Sequence, residues 1–223
     1  MKKVILCVLL IFGVCFSAFS LQETWFSIGI PFGNHFERGT SIENIYMGSL
    51  GGSLSVYEFF NRGNIGLFVN FGFYYPVIIN TEIERTSMFH YDLTLGPGFR
   101  HNINERLDLH FGIGFLLQRQ FMTMTICGRD TIDTRLGFGI GGDVGLKLDL
   151  TDAIFLSVGS LLNYNFASRR TVLSTMDNWD NTRRDFSGWI GNYHMFGIRP
   201  YVAIGINYHR ERGPAQLGRP FFR

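Results

Sequence analysis

Asp143 and Lys147 stand four residues apart in a stretch whose alternate positions are apolar or glycine, and Asp92, Arg100, His110, Arg135 and Arg199 sit in similar surroundings elsewhere. Charged groups set among apolar residues must neutralise one another or line a wet passage, because an isolated buried charge is prohibitively unstable. Those are the two chemistries this set offers: a self-neutralising filling, or a polar constriction in a conduit. Other chemistries lack their residues. Gly137-Phe138-Gly139-Ile140-Gly141 alternates with bulky apolar residues and precedes no helix, so it is not a phosphate loop. No paired metal-ligand spacing occurs, and the histidines (His35, His90, His101, His110, His194 and His209) are scattered. Cys7 and Cys15 fall in the N-terminal apolar stretch, which leaves Cys127 without an internal partner. The expectation is a protein that is not an enzyme and carries no cofactor.

The elements that must position these residues have a period of two. Ile65, Leu67, Val69, Phe71, Phe73 and Tyr75 alternate with Gly66, Phe68, Asn70, Gly72 and Tyr74, and Leu107 through Gln118 repeats the pattern. Successive side chains of a strand point to opposite faces, so this alternation predicts strands. Eight segments show it, at about 24–33, 45–58, 64–76, 88–100, 107–120, 134–149, 153–167 and 195–209. Most are longer than the ~5–6 residues of an ordinary strand and match the ~9–11 residues a tilted strand needs to cross a bilayer.

Glycine keeps one phase. Gly29, Gly66, Gly72, Gly96, Gly98, Gly112, Gly114, Gly137, Gly139, Gly141, Gly145, Gly159, Gly197 and Gly205 lie opposite the apolar row, with only Gly48, Gly52 and Gly142 clearly on it. The charged set shares the glycine phase, together with Gln118, Asp149, Asn163 and Asn207. Small and polar residues on one face, with Phe, Leu and Ile on the other, fit an eight-stranded barrel whose narrow interior is filled by side chains and whose outside meets lipid. The predicted fold class is therefore all-β, an eight-stranded antiparallel transmembrane up-and-down β-barrel. Unpaired backbone groups are excluded from lipid, so the last strand must close on the first.

Three further features support export to an outer membrane. Lys2 and Lys3, the apolar run Val4 to Phe16 and Ala18-Phe19-Ser20 read as a signal peptide over 1–20, too short for a spanning helix. Its removal leaves 18 basic and 18 acidic residues, so no basic field draws nucleic acid. Connections alternate: long at about 34–44, 77–87, 121–133 and 168–194, short at 59–63, 101–106 and 150–152, as in barrels with periplasmic turns and extracellular loops. The barrel is expected over 21–210, followed by a short periplasmic tail over 211–223.

Pro97 and Pro200 fall mid-strand, with Pro31 late in the first. Proline lacks the ladder N–H, so Pro97 and Pro200, facing lipid by phase, mark a candidate lateral opening. Loop 168–194, with Arg169, Arg170, Arg183, Arg184, Trp179 and Trp189, is a candidate surface for an external ligand. In signal, strand number and loop alternation the chain resembles the small eight-stranded outer-membrane barrels, most closely in size the OmpW/OprG type. That resemblance implies a narrow porin-like channel for passive uptake of small hydrophobic solutes, with Leu116 and Leu161 on the inner face. The alternative is a structural or adhesive barrel of the OmpX/OmpA kind, acting through its loops. A lipid-headgroup enzyme would need His and Ser at the outer rim, whereas His209 falls at the periplasmic end. Implied partners are outer-membrane lipid, small apolar solutes, a surface ligand and the barrel assembly machinery, with Tyr208 or Phe222 as the terminal aromatic signal.

Overall fold

The computed structural model describes residues 21–38, 46–60, 63–78, 85–126, 129–175, 182–190 and 194–209. The expected signal peptide over 1–20, the expected tail over 211–223 and Cys127 lie outside them. Nine strands occur among the described residues: β1 (Leu21–Arg38), β2 (Tyr46–Phe60), β3 (Ile65–Ile78), β4 (Arg85–Asn102), β5 (Leu107–Ile126), β6 (Arg129–Asp149), β7 (Ile154–Thr175), β8 (Thr182–Ile190) and β9 (His194–His209). Every pairing is antiparallel. Each strand from β1 to β7 pairs with the next, β7 pairs with β9, and β9 pairs with β1, which closes an eight-stranded barrel. β8 pairs with the upper part of β7, above the part that β9 covers, so β8 and β9 are two stretches of one descending strand.

Alternation places the side chains as the phase predicts. Ile28, Ile30, Leu50, Phe71, Phe111, Phe115, Val202 and Ile204 stand outside and exposed, while Asp92, His110, Asp143, Lys147 and Arg199 are buried inside. An apolar wall of this extent is stable only against hydrocarbon. The glycines on the inner face do two jobs. A Cβ on Gly112 would run into the Phe68 ring, and one on Gly205 into the Phe155 ring, so these glycines make room for inward aromatics. Gly96 and Gly114 face each other across β4 and β5, where a Cβ on either would overlap the opposite backbone. Here glycine permits the tight bending that closes so small a barrel.

Two of the three short connections are fixed by side chains. Asn104 Oδ1 accepts the N–H groups of Arg106 and Leu107, each at 2.9 Å. Thr151 Oγ1 accepts those of Ala153 and Ile154, at 3.2 and 3.0 Å. The long connections are shorter than the sequence predicts. Residues expected as loop continue the hairpins: β5 runs to Ile126, β6 starts at Arg129, and β7 climbs to Thr175 before β8 descends from Thr182. These segments, such as Phe121-Met122-Thr123-Met124-Thr125-Ile126, are polar in places but rich in residues that favour strands, and ladder pairing carries them past the apolar belt. β7 accommodates the change with a bulge, so Phe166 has no partner opposite and points outward.

Candidate functional site: the barrel interior

The interior is bridged at four heights. Nearest the short turns, Trp25 is the centre. Its Nε1–H donates to Glu23 Oε1 at 2.9 Å, and Arg100 Nη1 pairs with that same oxygen at 2.6 Å. The Arg100 guanidinium covers Phe59 at 4.6 Å, and Lys147 Nζ lies 4.3 Å from the Trp25 ring centre. Lys147 also donates to Asp149 at 2.6 Å and Asp108 at 3.4 Å, and Asn207 Nδ2 donates to Asp149 at 2.8 Å. Two cations, three carboxylates and two aromatic side chains thus close the barrel across β1, β2, β4, β5, β6 and β9.

The second level is built on Asp143. Tyr57 Oη donates to its Oδ2 at 2.8 Å and Tyr201 Oη to its Oδ1 at 2.9 Å. His110 Nε2 lies 3.0 Å from the same Tyr201 hydroxyl and 3.5 Å from Asp143 Oδ2. A carboxylate on β6 is therefore held by hydroxyls from β2 and β9, which stand on other sides of the barrel.

The third level is an ion pair spanning the interior. Arg199 on β9 binds Asp92 on β4 through Nη1 at 2.5 Å, with each side chain about 1% exposed. Asn163 Nδ2 on β7 donates to the same Asp92 oxygen at 2.7 Å, and the Arg199 guanidinium stacks over the Tyr74 ring at 3.8 Å. Leu116 is buried nearby on the inner face, and Gln118 meets the His90 ring. At the fourth level Gln120 Nε2 donates to Met195 Sδ at 3.4 Å, and Arg135 pairs with Asp133 at 3.1 Å.

All seven polar residues singled out by the sequence face inward, but in separate levels rather than one network. Asp143 and Lys147 do not pair: a spacing of four along a strand separates them by about 13 Å, and each takes partners from other strands or two residues away. Sequence reasoning missed Glu23, Asp108 and Asp133 as counter-charges, and Trp25, Tyr57 and Tyr201 as inward aromatics, whereas Tyr74 already fell in the glycine row. Tyr57 carried a signal, since it follows Ser53 and Ser55 in the small-residue phase of β2.

Each mid-strand proline interrupts one ladder. Pairing of β4 with β5 passes from Leu95↔Phe115 directly to Gly98↔Gly112, skipping Pro97. Pairing of β1 with β9 passes from Pro31↔Tyr201 to Asn34↔Ile198, skipping Pro200. On their other sides Pro97 pairs with Leu67 and Pro200 with Ser160. Gly114 and Gly33 sit opposite the interruptions, so close that a Cβ on either would overlap neighbouring backbone.

The closed wall, the alternating strands and the charged, layered interior define the fold of the bacterial outer-membrane β-barrels. A major outer-membrane protein of Thermus thermophilus is similar at a TM-score of 0.59 and 13% identity, over 83% of this chain and 99% of that one. The attachment invasion locus protein Ail of Yersinia pestis (TM-score 0.49, 16% identity, 84% and 99%) and Neisserial surface protein A (0.49, 13%, 81% and 96%) are also similar. No family model and no curated protein matches the chain.

Proposed function

We propose that this chain is an exported outer-membrane barrel with its short turns in the periplasm, whose interior is a structural plug and whose activity belongs to its extracellular hairpins. The observation that carries the reading is the transverse bridging of the interior at four heights, with Arg199, Lys147, Tyr74, Phe59, Phe68 and Leu116 all essentially inaccessible to solvent. A conduit needs a continuous wet path, and eight strands leave room for little beyond side chains. The wall is also uneven in height. β4 to β8 remain paired well above the level at which β3 and β4 part, at Tyr74↔His90. The last rung of β7 with β8 is Thr175↔Thr182. Such a raised sheet presents a binding surface and unpaired strand edges.

Replacing residues 172–186 by Asn-Gly, between the paired Thr171 and Ser187, tests this directly. The shortened barrel is expected to fold with its usual heat-modifiable gel mobility. Cells displaying it should attach to matrix-coated surfaces no better than cells lacking the protein. Full attachment by the shortened barrel would sink the surface role.

The second reading is a narrow channel for small hydrophobic solutes, which goes with the OmpW/OprG resemblance. The skipped rungs at Pro97 and Pro200 favour it, because a wall lacking those bonds can part sideways. That reading requires solute flux that falls when both prolines become Val.

A further inference from the structure

Gly142 breaks the phase that the other β6 glycines obey. It occupies the middle of the outward row Leu136, Phe138, Ile140, Gly142, Val144, Leu146 and Leu148, where every other member is a large apolar residue. The comparable exception, Gly52, is covered: the Phe73 ring lies over it, and a Cβ there would strike the ring. Gly142 is not covered. A Cβ there would meet only the Gly112 carbonyl oxygen, at 3.2 Å. The result is a groove of about 300 Å³ in the outer wall, walled by Phe111, Ile113, Ile140, Leu162, Tyr164 and Phe196, with almost no polar surface.

The groove has a direction. Ile113, Gly142 and Leu162 form one rung across β5, β6 and β7. Ile140, Tyr164 and Phe196 form the next, on the hairpin side. The groove therefore starts at mid-depth of the apolar belt and climbs toward the outer leaflet, with the Tyr164 ring along its upper part.

We propose that this groove binds one acyl chain of an outer-leaflet lipid, with the chain end seated on Gly142. This rests on the membrane placement above and is independent of what the hairpins bind. Water has no hydrogen-bond partners in such a groove, and an unfilled groove forfeits the dispersion contacts of its lining. A linear hydrocarbon chain matches it in polarity and is the medium at that depth. Gly142 is the residue that admits it.

Two measurements test the assignment. First, the barrel is taken from nanodiscs of dimyristoylphosphatidylcholine into detergent and weighed by native mass spectrometry. The native chain is expected to retain one lipid. Gly142→Leu should retain none, while Val158→Leu, at an exposed position outside the groove, should retain one. No lipid on the native chain, equal retention by Gly142→Leu, or a dimer that Gly142→Leu abolishes would overturn the proposal, the last in favour of a second copy. Second, the native chain in bilayers carrying a nitroxide near the acyl chain end needs no variant to fold. The methyl signals of Ile113, Ile140 and Leu162 should broaden several-fold more than those of Ile28 and Ile204. Equal broadening of both sets overturns the groove, whereas no broadening anywhere refutes the membrane placement instead.

Discussion

Arg199→Leu is expected to lower the stability of the folded barrel by about 3–5 kcal/mol, the effect of leaving one member of a buried ion pair alone. Asp92 is about 1% exposed and would keep the Asn163 amide and the Gly72 backbone N–H as donors, with His90 Nε2 3.7 Å away. The Tyr74 ring would lose the guanidinium stacked on it. Urea titration of the barrel in lipid vesicles measures the loss as a shift of the unfolding midpoint at constant slope. Arg199→Lys keeps the charge but not the planar fork, and should fall between native and Leu. Replacing Asp92 and Arg199 together by Leu should recover a large part of the loss, because the two residues couple directly. A loss below about 1 kcal/mol for Arg199→Leu, in the range of exposed pairs, would show that water reaches this level.

Gly114→Val should be as damaging, for a steric reason. A Cβ at this position would overlap the Leu95 carbonyl group and fall 2.7 Å from the Gly96 nitrogen. Those are backbone atoms of a paired strand and cannot rotate away. Overpacking that only displaces side chains costs about 1–3 kcal/mol; here the ladder itself must open, so the expected loss is about 3 kcal/mol or more. Gly137→Ala provides the control on the same inner face. Its Cβ would meet the Asn165 amide at 3.0 Å, a side chain that can turn aside, and the expected loss is below about 1 kcal/mol. Equal effects of the two substitutions would mean that glycine serves only to relieve interior crowding.

These two cases mark what could be read from the sequence. Period two put Arg199 and Gly114 on one shared face, because strand geometry ties every second residue to one side; the signal peptide, the long uncharged apolar rows and the alternating connections made that face the inner one. The partnership of Arg199 with Asp92, 107 residues away in sequence, did not. It depends on barrel closure and on the register of β3, β4, β7 and β9, which no single segment's alternation encodes. Glu23 was overlooked because it opens the first strand, yet it anchors Arg100 and Trp25. The hairpins rise beyond the apolar alternation that marks the eight segments. Thr123, Thr125 and Thr131 are polar but β-branched, and they continue the ladder beyond the belt. The interruptions at Pro97 and Pro200 were anticipated from their missing N–H, whereas the glycines packed against them were visible only in three dimensions.

A closed interior carries no current, which electrical recording measures. Refolded native barrel inserted into planar bilayers should give no conductance steps above the bare membrane, and liposomes containing it should show no added flux of small apolar solutes. Steady single-channel steps from the native barrel, or solute uptake that rises with the number of barrels, would show an open interior and restore the channel reading.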